Sequence, residues 1–226
     1  MRAIFEFSKS GRLRFISHLD LQRFMMRAVR RTDLPVSYSQ GFNPHPHMSF
    51  ASALAMGWSS DVELMDIRLT EDVVPEHALQ QMQSALPAEM PVHRCRIVSD
   101  RFPALMASLV MADYRVELSG TYISKVIDFI PSYLSLDTVM AVRKTKSGEK
   151  DVNIRPLTIA LSAGDQRQLY MRLMLTPDET LKPDLLMDTI IRQCDAMETE
   201  YSIFRTALLG RDAEGNIVPL MELSDE

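Results

Sequence analysis

The residues of this chain best suited to chemistry are gathered between positions 9 and 50. His18 opens a segment with helical spacing, where the partial positive charge of a helix N-terminus disfavours imidazolium. A neutral imidazole can serve as general base, hydrogen-bond acceptor or metal ligand. His45 stands between Pro44 and Pro46, whose fixed φ angles aim its ring with little entropy left to lose. His18 and His45 are therefore the candidate catalytic acid-base pair. His45 and His47 share one side of an extended segment, which is half of a metal site at most. No carboxylate or cysteine stands at a fixed spacing from them, so no metal ligand is assigned. On a helical wheel at ~100° per residue, Arg23, Arg27, Arg30 and Arg31 fall within one arc about 100° wide. An arginine presents a planar fork of donors matched to phosphate or carboxylate. This face is either a solvated basic surface or an anion-binding surface. With Gln40 and Asn43 in the following loop, the four arginines form the candidate substrate-binding set.

The elements that must position these groups follow from local pattern. Residues 2–8 alternate, with Ala3, Phe5 and Phe7 on one side, and predict a strand. Ser10-Gly11 signals a turn, and residues 12–16 continue extended. Ser17 with Asp20 three residues on is a helix start, and the helix runs from His18 to about Thr32 before Pro35. Residues 36–39 form a short strand, and 40–47, with one Gly and two Pro, form an ordered loop. Extended runs at 48–55 and 61–70, a helix at 75–86 and a strand at 92–98 complete an order of β-α-β-β-α-β. The order then recurs. Strands fall at 114–118, 157–161, 169–175 and 203–208. Helices fall at 123–134, with Pro131 kinking or ending the first, and at 183–197. A hairpin turning at Ser147-Gly148 joins 139–144 to 151–154. The expected fold class is α+β, with two ferredoxin-like halves packed side by side. Residues 1–100 carry the motifs, and residues 112–226 form the second half with an acidic tail.

Composition sets the outer limits. The 226 residues carry a net charge of -5, yet residues 1–50 carry +5 and the remainder -10. A basic segment on an acidic body points to a local anion-binding face. No run of residues reaches the length of a membrane span. The opening residues lack a signal peptide's apolar core and cleavage site, so a cytoplasmic location and no membrane partner are expected. Phosphate-loop, dinucleotide, GxSxG and HExxH signatures are absent. Two distant cysteines, Cys95 and Cys194, provide neither a disulfide framework nor an iron–sulfur ligand set.

Three runs carry a family likeness: Gly11-Arg12-Leu13-Arg14-Phe15-Ile16-Ser17-His18-Leu19-Asp20-Leu21, Arg27-Ala28-Val29-Arg30-Arg31, and residues 34–46 ending Gly41-Phe42-Asn43-Pro44-His45-Pro46. They resemble the radical SAM-associated (radical SAM-linked) bacterial domain family, here in its stand-alone form. The likeness extends to Lys150–Pro156 and Leu181-Lys182-Pro183, with one departure at His47, where the family usually has Lys or Arg. The resemblance implies a separate radical SAM protein as partner. The iron–sulfur cluster, S-adenosylmethionine and cobalamin would sit on that partner and no cofactor on this chain. Neighbouring ribosomal-protein and ribonuclease genes in the family imply RNA, ribosomal or transfer, as a second partner.

The expectation is thus an accessory module without catalytic activity of its own, presenting RNA for modification. The alternatives are a metal-independent ribonuclease or other hydrolase built on His18 and His45, and a protein-interaction adaptor.

Overall fold

A computed structural model describes residues 1–145, 148–165 and 167–224. The fold is mixed α+β, with a large, mostly antiparallel sheet and, among the described residues, five α-helices. The chain divides into two compact units, residues 1–109 with 208–226, and residues 110–207.

The first unit contains β1 (Arg2–Lys9), a 3-10 turn (Gly11–Phe15), α1 (His18–Val29), β2 (Met48–Phe50), β3 (Ser59–Arg68), α2 (Pro75–Ala85), β4 (Val92–Val98) and α3 (Leu105–Ser108). β1 lies between β4 and β3, β2 also pairs with β3, and all three pairings are antiparallel. The alternation of β1 puts Ala3, Phe5 and Phe7 into the core. There they meet Leu21, Met25 and Val29 of α1 and Ala78 and Met82 of α2. Each of the Phe, Leu, Met and Val side chains among them contributes roughly 1.5–3 kcal/mol on burial. Arg2 fixes β1 to its neighbour by pairing with Asp66, and it also donates to the carbonyls of Phe102 and Pro103.

The second unit contains β5 (Met111–Gly120), α4 (Ile123–Leu134), β6 (Met140–Thr145), β7 (Gly148–Asn153), β8 (Thr158–Ala163), β9 (Gln168–Met174) and α5 (Pro183–Gln193). β10 (Thr199–Arg211) begins in this unit and ends in the first, where β11 (Ile217–Pro219) pairs with its end. The strand order of the second unit is β10-β5-β9-β8, and β6-β7 is a separate hairpin. α4 packs on β5 and β8 and against α5.

Several local expectations change. Residues 12–16 do not continue extended, because Gly11 at φ +56° turns the chain into the 3-10 turn. Residues 36–39 make only isolated bridges, Val36 with Leu69 and Tyr38 with Pro46. The strand expected over 48–55 stops at Phe50. α1 ends at Val29 with Arg30 as its C-cap, earlier than Thr32. Pro131 does not end α4, which runs on to Leu134. α5 stops at Gln193, short of the expected 197, and Met197 is exposed. Ser147 of the expected hairpin turn lies outside the described residues. The residues after Gly210 include β11 and three buried side chains, Leu220, Met221 and Leu223.

Candidate functional site

All the candidate residues belong to the first unit. Ser17 starts α1: Asp20 N donates to Ser17 Oγ at 3.1 Å, and Ser17 Oγ donates to Asp20 Oδ2 at 2.7 Å. The cap satisfies one of the orphan amides of the first turn. It also sets Asp20 3.5 Å from Arg23, an exposed pair. Leu21, Met25, Ala28 and Val29 are buried, so the opposite, arginine-bearing face is open to solvent.

The four arginines divide into two kinds. Arg31 Nη2 donates to the carbonyl of Ala85 at 2.6 Å, supplying a cation at the negative end of α2. Its Nη1 donates to Arg27 O at 3.2 Å. Arg30 Nη2 donates to the carbonyl of Pro44 at 2.9 Å and ties the helix to the loop. Two of the expected ligand-binding guanidiniums therefore make intramolecular hydrogen bonds. Arg27 is exposed, and its guanidinium forms no hydrogen bond or ion pair among the described residues. Arg23 pairs with Asp20 alone among the described residues.

The loop is held on both sides. Ser39 N donates to His45 O at 2.8 Å, His45 N donates to Ser39 Oγ at 3.0 Å, and His47 N donates to Ser37 O at 2.8 Å. Pro46 is buried beside its bridge to Tyr38. Gly41 has φ +122°, a backbone that side-chain-bearing residues rarely adopt. The result is a closed tip on which Gln40, Phe42, Asn43 and His45 are all exposed.

The two candidate catalytic histidines have different surroundings. His18 is half-buried, its ring edge-on to Phe50 at 5.4 Å, and Gln22 Nε2 donates to His18 Nε2 at 3.1 Å. His45 stands exposed on the loop. His47 Nδ1 is 3.0 Å from Ser37 Oγ, and His47 lines an open cleft of about 460 Å³ with Arg2, Asp66, Arg68 and Asp100. Arg68 and the chain N-terminus both pair with Asp100, and they hold its carboxyl below the usual carboxylate range, the hydrogen bond from the N-terminus most of all. Among the described residues no group of three His, Cys, Asp or Glu side chains is arranged to hold a metal ion. Burial, with Glu76 adding to it, pushes the Cys95 thiol up to about 12.

Three aromatic contributions escape a reading by helical or strand period. Phe42 is fully exposed, at 112% relative accessibility, and Phe15 is more than half exposed beneath the Arg14 guanidinium, 4.6 Å from its ring centroid. Tyr38 is also exposed. Their signal in the sequence is position: Phe42 sits between Gly41 and Asn43, where no apolar period can bury it.

The geometry is that of a mixed α+β protein with an open, arginine-bearing helix face tied to a neighbouring loop. The chain belongs to a bacterial family described as uncharacterized protein conserved in bacteria (DUF2344), whose model matches residues 2–183. No curated protein matches it. Among solved structures it is similar to an unknown protein from Galdieria sulphuraria, at 9% identity over 90% of this chain and 97% of that one. The TM-score of 0.24 carries no argument about the fold.

Proposed function

We propose that this chain is an accessory module that binds RNA and presents it to a separate radical SAM enzyme for modification. Arg23 and Arg27 hold phosphates, and Gln40, Asn43 and His45 contact a base or ribose. The observation that carries the reading is the bond from Arg30 to the carbonyl of Pro44. It joins the arginine helix to the polar loop and leaves Arg27 open. Arg30 and Arg31 then act as positioning residues. The engaged Nε2 of His18 favours binding over acid-base chemistry, since a general base needs that lone pair for substrate. The radical SAM partner rests on the sequence resemblance. It would supply the iron–sulfur cluster, S-adenosylmethionine and cobalamin, none held by this chain. We read each unit as ferredoxin-like: β4-β1-β3-β2 in the first and β10-β5-β9-β8 in the second support this, with β6-β7 inserted.

Mass spectrometry of RNA nucleosides from a deletion strain tests the proposal. The expected result is the loss of one modified nucleoside, restored by the wild-type chain and not by an Arg23→Glu, Arg27→Glu double variant. An unchanged set of nucleosides overturns it.

A further inference from the structure

Phe42 is the one large apolar side chain of the described residues that stands wholly in solvent. Single exposed apolar residues are common on protein surfaces and by themselves mean little. Phe42 differs in how it is held. The turn that carries it is closed by the paired backbones of Ser39 and His45, by the Ser39 hydroxyl and by the Tyr38–Pro46 bridge. Arg30 clamps the carbonyl of Pro44 from α1. Gly41 holds φ +122°, and a Cβ there would meet nothing within 4 Å, so the glycine serves the backbone turn and not close packing. The backbone that carries the ring is thus ordered before any partner arrives, which lowers the entropic cost of contact.

The surroundings select the partner. Gln40, Asn43 and His45 flank the ring with hydrogen-bond donors and acceptors and no acidic group. The helix to which the loop is clamped presents Arg23 and Arg27 to solvent. An exposed aromatic ring among neutral polar residues, on a loop bonded to the helix that bears these arginines, fits an unpaired nucleobase with its phosphates. A purely apolar partner would leave the amides and guanidiniums without partners. We propose that Phe42 is a stacking platform for an unpaired base, so that the RNA taken by this face is single-stranded at the contacted nucleotide. This rests on the RNA-binding reading above and narrows it from RNA to an unpaired segment.

The test uses the full chain, with a single-stranded RNA carrying 2-aminopurine and a fully paired duplex of the same length. Stacking quenches 2-aminopurine emission. The expected result is quenching on binding, and a drop of about tenfold in single-strand affinity for Phe42→Ala, within the usual worth of one aromatic–base stack. Phe42→Leu, which keeps apolar volume without a flat ring, should resemble Phe42→Ala, and Phe42→Trp should retain affinity. The salt dependence should be the same in all four proteins, because the phosphate-binding arginines are the same in each. Duplex affinity should not respond to Phe42. Equal single-strand affinity for wild type and Phe42→Ala, with Arg27→Glu still weakening binding, overturns the stacking role and leaves the RNA reading standing. Absence of RNA binding by the wild-type chain overturns both. Loss of radical SAM protein binding in Phe42→Ala with RNA affinity unchanged assigns the ring to a protein contact and overturns the inference.

Discussion

Ser17 makes two hydrogen bonds with Asp20 at the start of the helix that carries the arginines. Ser17→Ala should lower stability by about 1 kcal/mol, the usual worth of an N-cap, seen as a shift in the urea midpoint with unchanged slope. An unshifted midpoint would mean that packing of Leu21 and Met25 fixes the helix start without the cap. The cap and Asp20 were legible in the sequence because they are local. The separate uses of the four arginines were not: Arg30 and Arg31 reach carbonyls 14 and 54 residues away, and no wheel contains such distances. Cys95 gives a second test at this scale. With its thiol pushed up to about 12, the reactive thiolate at pH 8 is about a thousandfold scarcer than for an ordinary cysteine. In a Cys194→Ser background, iodoacetamide should modify the folded chain far more slowly than the urea-unfolded chain. Equal rates would show that Cys95 is reactive in the fold.

At the scale of elements, the loop between Tyr38 and Pro46 is the feature on which the site depends. Its order comes from one residue that tolerates φ +122° and from the clamp by Arg30. Gly41→Ala should strain the turn by about 1–3 kcal/mol. Arg30→Ala should leave α1 folded and loosen the loop, raising amide hydrogen exchange at Ser39 and His45, whose amides are bonded within it. Protection unchanged in Arg30→Ala would show that the loop keeps its order without the helix. β4 was readable to the residue, and α2 to within one, because their patterns are unbroken, whereas α4 keeps its bounds with Pro131 inside it. The 3-10 turn at Gly11–Phe15 was not, since a single positive φ redirects a run whose Leu13, Phe15 alternation imitates a strand. The identity of the loop's tip was legible, and its attachment to α1 was not.

At the scale of the whole molecule, the chain leaves its first unit after residue 109 and returns to it at residue 208. Leu220, Met221 and Leu223 are buried there, and Arg96 donates to the carbonyls of Met221 and Leu223. An acidic composition concealed this, because three apolar residues in a short segment make no period. Leu220→Ala should cost about 2–5 kcal/mol, and a chain ending at residue 216 should lose more, both read from urea unfolding. A truncated chain as stable as the whole would remove the last ten residues from the first unit's core. The chain carries -5 overall, so the proposed RNA binding requires the local positive face and not net charge. The direct measurement of the central claim is the salt dependence of single-stranded RNA affinity for the wild type and for Arg27→Glu. The account predicts affinity that falls steeply with salt in the wild type. In the variant it predicts weaker binding, with a slope flattened by about 0.7 because one fewer phosphate is neutralised. Equal affinities and equal slopes in the two proteins, or no RNA binding at low salt, would contradict it.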